Sequence, residues 1–216
     1  MNVTAMLLAD SRFPGGGHVH SGGLEEAAAR GLVRTEDDLP AFLGNRLRTA
    51  GALAAVFAAA ATWPGRDWAL LDAELDARTP SAAQRAASRA QGRATARAAR
   101  LMSPLVTGLL AVIARPHHPV LLGVLVGTPQ DAALAAAYLS VSGPASASVR
   151  LLGLDPLRVN AIVAGLAPSI TSAAAEAAAT AHHDPADLPA PGSPGLDVLA
   201  EEHDRHHREE VRLFAS

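Results

Sequence analysis

The segment Ser11–Gly31 reads SRFPGGGHVHSGGLEEAAARG. It sets two kinds of chemistry side by side: glycines whose N–H groups can face an anion, and two imidazoles, His18 and His20, that can face a metal ion. A phosphate-binding P-loop follows a strand and needs a lysine for the phosphates and a Ser/Thr for magnesium. This chain has no lysine, all 18 of its basic residues being arginine, and no strand pattern precedes Gly15-Gly16-Gly17. The glycines therefore read as a loop that tolerates positive φ and close backbone contact. Imidazole suits nickel or zinc, but two ligands are too few for a tight site. The spacing names no third, Asp10 and Glu25 being only near in sequence. Ser21 stands beside His20, yet no G-x-S-x-G elbow follows a strand, so nucleophilic catalysis has no specific support.

The other histidines are His117-His118 and His182-His183, at expected helix ends where imidazole can cap carbonyls, and His203, His206 and His207 on the last helix. An i, i+3/i+4 set shares one helix face. These read first as solvated or interface groups and second as metal ligands. There is no cysteine, which excludes disulfides, thiolate metal sites and thiol catalysis.

Two longer features bear on partners. Arg85, Arg89, Arg93 and Arg97 recur every four residues, with Arg100 near the same face. Ala87, Ala90, Ala94, Ala98 and Leu101 are expected opposite. Such a row can grip acidic or phosphate groups; equally, it can be a solvated face balanced by Asp72, Glu74 and Asp76. The C-terminal stretch LDVLAEEHDRHHREEVRLFAS is a charged helix with an apolar tip, its stripe running through Leu196, Leu199, His203, His206 and Leu213. It reads as an arm that docks on a partner or as a terminal helix packed on its own bundle.

The elements that must position these residues are helical. Alanine and leucine dominate the 49% apolar content, aromatics are only 3%, and no segment alternates as a strand does. The expected fold is all-α: one compact domain, residues 1–216, of about ten helices. A Pro/Gly-rich loop (183–195) leads into a C-terminal helical arm (196–216). Expected helices lie near 3–9, 21–30, 36–62, 67–77, 80–102, 104–114, 119–127, 129–151, 156–166, 168–182 and 196–213. Ser21, Thr35, Thr79, Thr128 and Asp155 are the expected N-caps, the last three followed by proline at the first helical position. A net charge of −3 does not suggest a nucleic-acid binder. MNVTAMLLAD lacks the basic start of a signal peptide, and Arg115-Pro-His-His-Pro119 interrupts the longest apolar run, so no membrane span is expected. The absence of cysteine fits a cytoplasmic protein.

Taken together, the motifs resemble a family. LLADSRFPGGGHVHSGGLEEAAARGLV is similar to the N-terminal signature of UreF, the urease accessory protein, through Pro14, Gly16, Gly17, Ser21, Gly23, Leu24 and Glu25. His18 departs from it, standing where many members carry an aromatic residue. Ser88-Arg89-x-x-Gly92-Arg93, His118-Pro119-x-x-x-Gly123, Arg150-Leu151-Leu152-Gly153 before Asp155-Pro156, and the ending from His203 through Arg212-Leu213-Phe214-x-Ser216 extend the likeness over the whole chain. The resemblance implies a non-enzymatic, all-α nickel-insertion chaperone that dimerises. It would bind UreD (also called UreH), form a platform for the nickel-carrying GTPase UreG, and help deliver nickel to apo-urease. It further implies a C-terminal segment that contacts UreD, so His203, Arg212, Leu213 and Phe214 are candidate partner-binding residues. Arg89 and Arg93 are candidates for a face toward the GTPase. No cofactor is expected to bind stably; nickel would be handled by the complex, with His18 and His20 as transient ligands. The rival readings are a histidine-dependent helical metalloenzyme and a helical adaptor unrelated to urease. The glycine loop itself reads as scaffold.

Overall fold

A computed structural model describes residues 2–17 and 20–213, with 208–213 described as helix backbone only. Among these residues the chain is all-α, with twelve α-helical segments and no strand. They are α1 (Val3–Ala9), α2 (Leu24–Ala29), α3 (Leu39–Arg46), α4 (Ala52–Ala61), α5 (Trp68–Ala77), α6 (Ala82–Ala99), α7 (Leu105–Val112), α8 (His118–Val126), α9 (Pro129–Leu152), α10 (Pro156–Gly165), α11 (Ala167–Ala179) and α12 (Pro194–Leu213). A π-helical turn, Leu47–Gly51, joins α3 to α4, and a 3₁₀ turn, Pro185–Asp187, precedes α12.

The core is centred on α4, where every residue from Ala55 to Ala61 is at most 5% exposed. Helices α8, α9 and α11 pack around it. Small side chains make this possible because they let helix axes approach closely. At Gly123 of α8, a Cβ would overlap the carbonyl oxygen of Ala58, so the two backbones are in direct contact. The freed carbonyls at the end of α4 are capped from outside: Arg66 Nε donates to Ala60 O (3.1 Å) and Trp68 Nε1 to Ala61 O (3.1 Å). By length and hydropathy α9 is the single described helix able to cross a bilayer, but 56% of that stretch is buried, as in a core helix.

Local capping explains where helices begin, and it corrects several expectations. Asp67, Ser81 and Asp155 accept the N–H groups of Leu70, Gln84 and Leu157. Thus α6 starts from Ser81 and not from Thr79. Thr35 does not start α3 either. The Asp38 carboxylate takes the N–H groups of Arg34 and Thr35 and the Thr35 hydroxyl, closing a turn, and the helix proper begins at Leu39. Thr128 is the N-cap residue of α9, but its hydroxyl donates to Asp131 and caps no N–H. The N-cap of α2 is Gly23, with φ of 92°, and Ser21 lies outside the helix with only a 3.4 Å contact to the Glu25 N–H.

The expected single helix over 36–62 is interrupted by the π turn, and α9 continues through a buried Pro144. These two irregularities meet. Pro144 has no N–H for the carbonyl of Ser140, its i−4 partner. Arg46, at the last position before the π turn, supplies that donor, its Nε lying 2.9 Å from Ser140 O.

Candidate partner-binding surface

The glycine loop is seated on the bundle from two sides. A Cβ at Gly15 would lie 3.0 Å from Phe13 and from Thr95 of α6, and one at Gly16 3.2 Å from Ala94. Gly16, Gly22 and Gly23 take positive φ. Further on, Arg46 Nη1 donates to Gly22 O (2.8 Å), so one guanidinium ties the loop, the π turn and the proline step of α9 together. No carboxylate among the described residues pairs with Arg46, and burial pulls its pKa down to about 10. Sequence reasoning missed this residue. The only signal was the proline inside a helical pattern, which requires a donor from elsewhere without saying which.

The loop leads into α2, and α12 lies along α2 and α6. Leu199 is buried, and Leu196 packs 3.4 Å from the Cβ position of Gly23. The rest of the seam is polar. Glu201 of α12 accepts from the Ser81 hydroxyl (2.7 Å) and the Ala83 N–H (3.0 Å). A carboxylate therefore caps the positive end of α6. Asp197 accepts from Gln84 (2.9 Å), and burial, helped by Glu201 nearby, raises its pKa. On the α2 side, Arg30 contacts Glu202 (3.0 Å), His206 lies 3.3 Å from Glu26, and His203 lies 3.9 Å from Glu25. Burial disfavours the charge on Glu26, but hydrogen bonds from Arg30 and His206 outweigh it and hold the carboxyl below its usual range. Over this stretch the C-terminal helix is docked on its own body. The loop before it is pinned too: Arg78 donates to Ala186 O (2.7 Å), and Pro185 and Leu188 are buried. The signature residues Gly23, Leu24 and Glu25 thus form the floor under α12.

A second polar group lies inside the bundle. Asp72, 4% exposed, accepts from Arg89 (2.9 Å) and from the His117 N–H (2.7 Å). Asp76 accepts from Arg89 (2.8 Å), and His117 Nε2 lies 2.9 Å from it. His117 Nδ1 meets the Ser88 hydroxyl at 3.0 Å. Ser, His and Asp are therefore in line, but the imidazole is 1% exposed and Ser88 also receives the His118 N–H. This is a closed structural network, not a nucleophile facing substrate. Burial lowers the His117 pKa against the pull of the two aspartates. Burial opposes charge on Asp76 as well, yet bonds from Arg89 and His117 hold its pKa down.

Arg89 is accordingly turned inward. Its neighbours on the stripe differ: Arg93 and Arg97 are exposed, and neither forms an ion pair or side-chain hydrogen bond among the described residues. The buried face of α6 is Gly92, Thr95, Ala96 and Ala99; of the residues expected there, Ala87 is exposed and Leu101 is 99% exposed.

Among the described residues the histidines do not converge on one site. No group of three His, Cys, Asp or Glu residues among the described residues can hold a metal ion. His20 is half-buried near His118, whose pKa is pushed down to about 4 by burial and by His20. His18 and Phe214 lie outside the described residues, as do the side chains of Arg212 and Leu213.

The UreF family model matches residues 33–167. The chain is 47% identical over 218 residues to the urease accessory protein UreF of Mycobacterium sp. (strain JLS), covering 99% of this chain and 98% of that protein. It belongs to the UreF family. UreF of Mycolicibacterium vanbaalenii is 45% identical over 99% of this chain and 98% of its own length. For UreF of Mycobacterium tuberculosis (strain ATCC 25177 / H37Ra) the identity is 43%, with 94% of each chain covered. For this UreF-family chain, the glycine signature is where the loop, α2 and α12 meet, and Arg89 of the basic motif is part of a half-buried ion-pair network with Asp72 and Asp76.

Proposed function

We propose that this chain is a non-catalytic, cytoplasmic platform for urease maturation, acting as a homodimer that bridges a UreD (UreH) protein and the GTPase UreG to deliver nickel to apo-urease. The near full-length identity to urease accessory proteins carries this reading. The UreD contact falls on α12, on the face turned away from α2 and α6 and on the helix end around Arg212, Leu213 and Phe214. Val198, 55% exposed, and Arg205 mark that outer face.

The test is co-purification of the full chain with the UreD and UreG encoded beside it. Val198→Asp with Arg205→Glu changes the outer face and leaves Leu199 and Glu201 in place. Loss of UreD with native unfolding behaviour supports the reading. A parent chain that assembles with neither partner refutes it. His18 and His20 act in this scheme as transient nickel ligands. Their double alanine variant is expected to activate urease poorly at limiting nickel and normally at excess, and normal activation at both removes them from the nickel route.

A further inference from the structure

Between Ala77 and Gln130 the chain holds seven arginines and no Asp or Glu. Three are engaged within the fold: Arg78 with Glu74, Arg85 with Asp76, and Arg89 with Asp72 and Asp76. Arg93, Arg97, Arg100 and Arg115 are exposed and form no ion pair among the described residues. The first three stand at i, i+4 and i+7 on α6, which puts them on one face. Arg100 runs directly into a strongly exposed apolar group: Leu101 (99%), Met102 (41%), Leu105 (51%) and Val112 (60%). Helix α7 buries only Val106 and Leu109. Its outer face is Leu105, Gly108 and Val112. A Cβ at Gly108 would meet nothing within 4 Å, so the glycine leaves a notch between two apolar ridges. Arg100 and Arg115 bracket the helix in sequence.

We infer that this face, Arg93–Arg97–Arg100 with α7, docks a protein partner through an acidic surface that carries one apolar side chain into the Gly108 notch. Charge decides the occupant. A two-fold pair through this face would bring together two surfaces that each carry arginines and have no Asp or Glu between Ala77 and Gln130 to offset them, which is net repulsive. Guanidiniums match carboxylates with two parallel hydrogen bonds. Aromatic residues, which favour the headgroup region of a bilayer, are absent from the patch. The surface is separate from the α12 seam, which grips α6 at Ser81–Gln84. Thirteen residues of helix, about 20 Å, separate Gln84 from Arg97.

This inference rests on the proposed urease function, because the partner is one of that assembly. The experiment measures binding of the full chain separately to purified UreD, UreG and apo-urease at about 50 and about 500 mM salt. Two variants are compared with the parent: Gly108→Glu, which enters open space and removes a helix-weakening glycine, and Arg97→Glu with Arg100→Glu. One of the three partners is expected to lose about tenfold or more in affinity with each variant, and its affinity for the parent should fall by a similar factor in high salt. Unfolding midpoints equal to or above the parent's show that Gly108→Glu is folded. If the parent assembles and both variants bind all three partners normally, the inference fails and the proposed function stands. If the parent binds none of them, both fail. If the variants instead abolish binding to vesicles of phosphatidylserine and phosphatidylcholine while protein binding is unchanged, the face belongs to a lipid surface and the acidic partner is refuted.

Discussion

The link between Arg46 and Pro144 yields a sharp energetic prediction. Arg46→Met keeps the apolar stem and removes the two donors at 2.9 Å from Ser140 O and 2.8 Å from Gly22 O. Both carbonyls are half-buried; a carbonyl shielded from water and left without a donor costs about 1–3 kcal/mol, so the two together cost about 2–6 kcal/mol at most. Part of this is returned, because a guanidinium without a counter-charge no longer has to be held away from water. The net expectation is a loss of about 2–3 kcal/mol. Pro144→Ala changes the logic. The alanine N–H can close the ordinary bond to Ser140 O, after which Arg46 is needed only at Gly22. Removing Arg46 in that background should cost about 1–2 kcal/mol less than in the parent chain. Urea unfolding followed by far-ultraviolet circular dichroism, on the four proteins of the cycle, measures this coupling. Additivity within about 0.5 kcal/mol would show that Arg46 does not act as the missing donor of the proline step.

Arg89→Met leaves Asp72 buried without its cation and should cost about 3–5 kcal/mol in urea unfolding; a loss under about 1 kcal/mol would place Arg89 at the surface. Glu201→Gln weakens the cap on α6 and should cost about 1 kcal/mol, with faster amide exchange in the first turn of α6 and along α12. Unchanged exchange would mean that Glu201 does not hold α12. Acid should destabilise the fold in two stages. His117 and His118 have lowered pKa values in the fold, so the unfolded chain binds more protons as pH drops below about 6.5, and stability falls from there toward about 4 for His118. Asp76 and Glu26 are also depressed, and their contributions, full above the ordinary carboxylate range, are lost as pH falls through their folded values. Urea midpoints from about pH 7.5 to 4 should therefore decline steadily, and a rise in stability between about pH 7 and 5 would contradict this ordering.

Features encoded by neighbouring residues were legible in the sequence, and features encoded by meetings between distant residues were not. Helix α1 occupies the expected 3–9, α5 begins one residue after the expected Asp67, and α10 starts where the expected cap Asp155 stands. Those signals sit within four residues of their effect. Arg46 and Ser140 are 94 residues apart, and Ser88 and Asp76 lie 29 and 41 residues from His117, so no local pattern announces either network. The four-residue arginine repeat correctly marks a helix face and its acidic neighbours. It does not say that Asp72 and Asp76 take up Arg89 while Arg93 and Arg97 stay in water, because that depends on where α5 crosses α6. Alanine deepens the difficulty. It favours the helix everywhere while marking neither side of it: Ala87 is exposed and Ala99 fully buried on the same helix. The buried face of α6, Gly92, Thr95, Ala96 and Ala99, includes Gly92 and Thr95, residues that hydrophobic periodicity counts as outward. Gly92 shows why: a Cβ there would overlap the Pro116 carbonyl oxygen, so closeness to the segment before α8, and not hydrophobicity, selects the residue. In a bundle built from such small side chains, the positions that fix helix packing are those with no room for a methyl group. A sequence reveals them only as glycines whose reason lies in another helix.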